Sequence, residues 1–256
     1  MKKRVKEMMR NFTKIKLNLS FMLLASTAIA FGQDLQTGIA DKVWEAIGGK
    51  DNWQNARYFM FSCIGGGTSS FVQGERKYLW DKQQGYCRFE GISTDDESVI
   101  ALFNIKTNEG TVYINGEELS NPKTSADVIK EVAAEFERDA YLLFLPTALE
   151  GNQVSFTVTG EKLVGSQRFT VVNLKNHKTS FEAAVEGQLY LDAQTGRVLQ
   201  WQSHDDQNRF AVGGFKDIGG GLVLPTRFTA DDTTHNITYP IAAALVNIEA
   251  QKFNKP

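Results

Sequence analysis

Cysteine, histidine and proline are scarce in this 256-residue chain, which holds two, three and five of them. Cys63 and Cys87 alone cannot build a four-ligand thiolate zinc site, and no CxxC is present. His177, His204 and His235 fall on separate segments, outside any HxH or HExxH spacing, so neither a metal nor a cofactor is expected. GxSxG, SxxK and P-loop patterns are missing too, which removes the familiar serine-hydrolase and nucleotide-binding signatures. No dense basic cluster follows Lys16, so nucleic acid is not an expected partner.

Basic charge is concentrated in the first sixteen residues. From Lys2 to Lys16 it precedes an apolar segment, Leu17 to Phe31, that closes on Ala28-Ile29-Ala30. Asn18, Ser20, Ser26 and Thr27 interrupt the run, which is too short to span a bilayer, and the small residues at its end suit a signal peptidase. Residues 1–30 are therefore read as a signal peptide and 34–256 as one exported, most simply periplasmic, domain without stable membrane insertion. Loss of Lys2, Lys3, Arg4, Lys6, Arg10, Lys14, Lys16 and Glu7 takes the formal charge from −2 to −8, an acidic mature protein. About 225 residues suit a single β-barrel or sandwich domain. In an oxidising compartment Cys63 and Cys87 have two fates: a disulfide closing a loop of roughly 25 residues, or two buried small hydrophobes on neighbouring strands.

Hydrophobic periodicity divides the rest. Ile39, Ala40, Val43, Trp44, Ala46 and Ile47 recur at three- and four-residue steps, a helix that Gly48-Gly49 stops, with Asp51-Asn52 continuing the turn. A second helix carries Val128, Ile129, Val132, Ala133, Phe136, Ala140, Leu143 and Phe144, with Ser125 as its expected N-cap and Pro146 marking its end. Elsewhere the period is about two. Strands are expected at 58–64, 71–80, 86–92, 99–105, 111–114, 154–159, 168–174, 184–191, 198–203, 209–215, 222–230 and 243–253. Asn115-Gly116, Asp192–Gly196 and Gly219–Gly221 supply turns. The expected fold is mainly β with two helices: a large curved antiparallel sheet or unclosed barrel whose inner face must hold a core, a helix or a ligand.

Several polar groups are candidates for chemistry, each with a simpler reading as turn or surface. His204-Asp205-Asp206 is a candidate general-base or cation site, but those residues equally make the polar tip of a hairpin. Asp95-Asp96-Glu97 and Asp231-Asp232 are paired acids of the kind used in glycoside hydrolysis, in loops and without further context. Gly65-Gly66-Gly67 follows a strand, yet no helix pattern follows it to offer amides to a phosphate.

Four stretches resemble the LolA/LolB-like outer-membrane lipoprotein carrier and sorting superfamily. They are Arg88-Phe89-Glu90, Gly110–Ile114 with Asn115-Gly116, Leu189–Val198 with its Asp-x-x-Thr-Gly turn, and Phe215–Thr226 ending in Gly-Leu-x-Leu-Pro-Thr. The layout also resembles exported proteins of Bacteroidetes-type bacteria. The resemblance implies an unclosed barrel with a helical lid and an apolar cavity that receives lipid or lipoprotein acyl chains. A lipobox cysteine and the proline that often follows the arginine strand are absent.

The expected function is thus a non-enzymatic carrier or binding protein that takes a hydrophobic ligand or lipoprotein. Arg88 is the candidate polar contact, and Trp80, Phe89, Tyr113, Phe136 and Phe144 are candidate lining residues. An exported hydrolase using His204, Asp205 and Asp206 is the alternative from another class, and an interaction module with a cell-envelope protein partner is the third.

Overall fold

The computed structural model describes residues 38–149, 154–176, 186–204, 209–232 and 235–256; the signal-peptide reading, His177, Asp205 and Asp206 lie outside them. The described residues from 42 onward form one compact unit. Helix α1 spans 38–46. Gly48 and Gly49 then both take a φ of 100°, as a helix stop requires. At Gly48 the carbonyl of Gly221 lies where a Cβ would sit, so only glycine lets this corner meet the Gly219–Gly221 turn. The expected turn at Asp51-Asn52 is instead a short third helix, α2, Lys50–Asn55.

Strands β1 (Tyr58–Cys63), β2 (Val72–Asp81), β3 (Tyr86–Ser93), β4 (Ser98–Asn104), β5 (Glu109–Ile114) and β6 (Glu117–Glu118) follow as an antiparallel meander. Asn115 and Gly116, at φ 52° and 85°, make the tight turn between β5 and β6. Helix α3, Pro122–Leu143, is capped by Asn121, whose side-chain oxygen accepts from the Lys123 and Thr124 amides, with Pro122 in the first turn. The expected cap, Ser125, lies a turn further in because Pro122 already fits a helix start. A 3₁₀ turn, Leu145–Leu149, ends this element.

The second half comprises β7 (Val154–Val164), β8 (Gln167–Asn176), β9 (Gly187–Asp192), β10 (Val198–Ser203), β11 (Arg209–Gly213), β12 (Lys216–Gly219), β13 (Leu222–Leu224), β14 (Arg227–Ala230), β15 (Ile237–Thr238) and β16 (Ala242–Leu245). Two expected strands are shorter than their apolar content suggests. The 222–230 run breaks at Pro225-Thr226, where proline cannot continue a ladder. The 243–253 run stops at Leu245 and ends in a 3₁₀ turn, Ala250–Phe253.

Two seven-stranded antiparallel sheets result, ordered β16-β1-β2-β3-β4-β5-β6 and β15-β14-β11-β10-β9-β8-β7, with β12–β13 as a separate hairpin. Backbone hydrogen bonds in both directions between Ile64 and Thr238 join the two sheets at one edge. The sheets are large and not closed into a barrel, and α3 packs on their shared inner face.

Cross-strand register explains the packing. Phe61, Tyr78, Phe89, Ala101 and Val112 stand side by side across β1–β5, and Phe59, Trp80, Cys87 and Phe103 form the next row; all are buried. Phe136 of α3 lies within 6.1 Å of the Phe61, Tyr78 and Trp80 rings, centroid to centroid. Tyr141, one turn on, meets Trp201 of the other sheet edge to face. Cys63 pairs with Arg76 and Cys87 with Trp80, four residues apart on β2 and so roughly 13 Å along the strand. That exceeds the reach of a disulfide, and both thiols are free and buried. Burial pushes both thiols above their ordinary pKa, most simply seen at Cys87.

Among these apolar rows lies a polar tether. Arg76 on β2 donates from Nε and Nη2 to the two Asp139 carboxylate oxygens at 2.7 and 2.9 Å, and from Nη2 to the Gly65 carbonyl at 2.6 Å. Tyr78 donates its hydroxyl to Asp139 at 2.9 Å, and Tyr239 donates to the Asp139 backbone carbonyl at 2.7 Å. Burial opposes the Arg76 charge, but the hydrogen bonds and charge of Asp139 outweigh it and raise its pKa. Glu131 and Glu135 continue the same helix face. Glu135 accepts from the Thr68 amide and from Arg138, and Glu131 accepts from the Ser69 and Ser70 hydroxyls. Three acids at four-residue spacing thus clamp the 65–70 loop against α3.

Two outcomes follow. Asp139→Leu removes both short hydrogen bonds of a buried guanidinium to its carboxylate, leaving Glu135 at 3.5 Å, and should cost about 3–5 kcal/mol in urea unfolding, while Arg76→Met with Asp139→Leu should cost less than Asp139→Leu alone. The second concerns Asp192, whose carboxylate accepts from the Thr195 amide, the Thr195 hydroxyl, Gln167 and the Gln194 amide, chiefly the first, so that its pKa is lowered. A depressed folded pKa adds stability above the unfolded value of about 3.9 that is lost as pH falls through the folded one. The wild type should therefore lose more Tm than Asp192→Asn between pH 6 and pH 3.

Candidate functional site

Strand alternation decides which side chains share a surface. Successive residues point to opposite faces, so Phe89 enters the core while Arg88 and Glu90 face away from α3. On that outer face Met60, Leu79, Arg88, Leu102 and Thr111 form one row, and Ser62, Lys77, Glu90, Ile100 and Tyr113 the next.

A groove of about 400 Å³ runs over the first part of these rows. Its apolar wall is Met60, Leu79, Ile241, Leu245 and Ile248; Lys77, Arg88, Glu90, Glu249 and Lys252 line its polar side. Met60 and Ile241 remain 39% and 40% exposed, more than large apolar residues in a covered surface would be. The volume falls within the range of small-molecule sites, roughly 300–1,000 Å³.

Arg88 occupies one end of the groove. Its Nε donates to Glu90 Oε1 at 2.5 Å, and its Nη1 donates to the carbonyls of Lys252 and Lys255 at 3.3 and 2.5 Å. Phe253, between those carbonyls, packs on Tyr58 and Tyr86 with ring centroids 6.3 and 6.4 Å away. The segment after β16 therefore crosses the outer face of the sheet and fastens at Arg88.

The six sequence-predicted residues separate into three groups. Trp80, Phe89, Phe136 and Phe144 come together inside, each at most 9% exposed, as part of the ring-to-ring core. Arg88 lines the groove on the opposite face. Tyr113 shares that outer face but lies opposite Ile100 and outside the groove lining. One aromatic pocket holding all six is thus excluded by the strand period itself. Met60, Leu79, Ile241, Leu245 and Ile248 were missed, because isolated aliphatic residues on an outer face carry no motif; the β1–β2 register and the return of β16 onto β1 bring them together. Another unannounced feature is Lys82, whose ammonium sits 4.3 Å from the centre of the Trp53 ring, donates to the Trp53 carbonyl, and is lowered by burial to a pKa of about 8.

The remaining polar candidates serve turns. The glycine loop presents carbonyls to arginines: Gly65 accepts from Arg76 and Gly66 from Arg138, the reverse of a phosphate cradle. The Ser93 hydroxyl accepts from the Asp95 and Glu97 amides, and Asp96 accepts from Gln73, closing the β3–β4 turn. Asp231 lies 3.7 Å from Arg209, and Asp232 meets His235 at 2.7 Å on the exposed surface. His204 is exposed, its amide donating to the Glu186 carbonyl. Among the described residues no three His, Cys, Asp or Glu side chains come together as metal ligands, and no helix is long and apolar enough to cross a membrane.

No protein-family model and no curated protein matches the chain. Solved structures similar to it include three of note. An outer membrane lipoprotein-sorting protein domain from Vibrio parahaemolyticus has 8% identity and a TM-score of 0.39, over 80% of this chain and 94% of that one. A DUF1329 family protein from Desulfovibrio piger has 10% identity and a TM-score of 0.42, over 85% and 96%. A LolA superfamily protein from Nitrosomonas europaea has 8% identity and a TM-score of 0.40, over 80% and 97%.

The division between core and groove is testable on stability. Phe136→Ala should cost about 3–5 kcal/mol in denaturant unfolding, as a core ring would, whereas Met60→Ala on the outer face should change it by less than about 1 kcal/mol.

Proposed function

We propose that this protein is an exported, non-catalytic binding protein that holds an apolar chain in the groove on the outer face of β1–β3, with Arg88 at its polar end. The observation that carries this reading is the groove itself: five aliphatic side chains, two of them well exposed, beside an arginine and two lysines. Such a surface costs free energy while wet, and each buried CH₂ of a ligand recovers about 0.8 kcal/mol, so an acyl chain needs no covalent attachment to be retained. The strand and turn motifs resembling the LolA/LolB-like superfamily favour lipid or lipoprotein acyl chains as cargo, and the basic-then-apolar first thirty residues favour export to the periplasm. Residues 34–256 act in this reading as one domain, without a cofactor.

Organic extraction of the purified mature protein followed by mass spectrometry tests it, with an unrelated periplasmic protein purified alongside. A stoichiometric amphiphile is expected from the wild type, and Met60→Glu should cut its yield at least about fivefold while leaving Tm within a few degrees. Equal yields from wild type and Met60→Glu would place any cargo elsewhere, and extracts no richer than the control would remove the carrier reading.

A further inference from the structure

The segment that follows β16 pairs with no strand. From Val246, which is 96% exposed, it runs to the single turn Ala250–Phe253, whose own backbone bonds are Lys252 to Glu249, Asn254 to Gln251 and Lys255 to Gln251. Its fastenings to the sheet are the two carbonyl contacts to Arg88 and the Phe253 ring between Tyr58 and Tyr86. Beneath it the Arg88 side chain is only 13% exposed; its Nε pairs with Glu90, and its Nη1 is held by the strap carbonyls. Few fastenings and exposed backbone mark a segment that opens far more readily than the sheet below it.

Resting on the groove reading above, we infer that residues 249–255 are a displaceable strap, and that the ligand class is an amphiphile with an anionic head, such as a fatty acid, whose oxygens replace the Lys252 and Lys255 carbonyls on Arg88. Two arguments carry this. Neutral carbonyls are weaker partners for a guanidinium than a carboxylate, which adds an ion pair to the hydrogen bonds and can accept from two N–H donors at once. With the strap displaced, the charged groups left in the groove are Arg88 and Lys77 against Glu90, a local excess of positive charge on an acidic protein. A carboxylate entering there meets a favourable local field and takes over the donors that hold the strap, so binding and opening are one exchange.

The probes are cis-parinaric acid, a fluorescent fatty acid, and its methyl ester, which keeps the chain and loses the charge. Binding is read by fluorescence, and strap opening by amide hydrogen exchange in a peptide covering residues 246–256 of the mature protein. The acid is expected to bind about tenfold more tightly than the ester and to speed exchange in that peptide, while the ester leaves exchange unchanged. Arg88→Gln should erase the acid's advantage, and Phe253→Ala should speed exchange without ligand and raise the association rate. If acid and ester both bind but exchange is unchanged or slowed by the acid, the strap is overturned and the groove reading stands. If neither binds, the groove reading fails and the strap falls with it.

Discussion

A single buried guanidinium sets the position of everything else. Arg76 reaches from the sheet into the space beneath α3 and takes both oxygens of Asp139, the Gly65 carbonyl and a contact to Cys63 Sγ at 3.4 Å. Replacing such a pair by apolar residues is often neutral for stability, whereas separating it is costly; its value lies in allowing one placement of the helix. An aromatic interior of Phe59, Phe61, Tyr78, Trp80, Phe136 and Phe144 offers many near-equivalent ring packings. Only one rotation and height of α3 puts Asp139 on Arg76, Glu135 on Thr68 and Glu131 on Ser69 together.

With α3 so placed, the inner face of the first sheet is filled by rings from the helix and both sheets. The binding surface proposed for the protein therefore lies on the other face, where alternation sends Met60, Leu79 and Arg88. Its walls come from distant parts of the chain: β1 and β2 near the start of the domain, and Ile241, Leu245 and Ile248 near its end. The β16–β1 pairing, Tyr58 to Leu245 and Met60 to Ala243, closes that separation. The segment over Arg88 continues from the same return: the chain leaving β16 crosses the outer face of the sheet it has just joined.

Much of the fold was legible in the residues. Period two with β-branched and aromatic residues located nearly every strand of the two sheets, Asn115-Gly116 and Asp192–Gly196 are turns for the expected reasons, and the apolar stripe of α3 marked its buried face. Errors fell where a local signal had a competitor. Ser125 looked like a cap, but Asn121-Pro122 is the stronger start. The run ending at Phe253 looked like one strand, but its ladder partner β1 is matched only through Leu245. The role of the α3 acids carried no signal, because a single sequence does not reveal that an arginine on β2 and the amide of Thr68 are waiting for them.

The sequence by itself determined the class of the protein: scarce ligating residues, short alternating strands, one long amphipathic helix and turns held by glycine, asparagine and aspartate. These are local matters, settled by which φ, ψ and face each residue type prefers. Tertiary structure alone decided that Cys63 and Cys87 stay apart, that Phe89 packs while Arg88 faces a groove, and that aliphatic residues nearly two hundred positions apart make one wall. Those outcomes depend on strand order and register, which arise from long-range pairing, and no short stretch of residues encodes where its partner will come from.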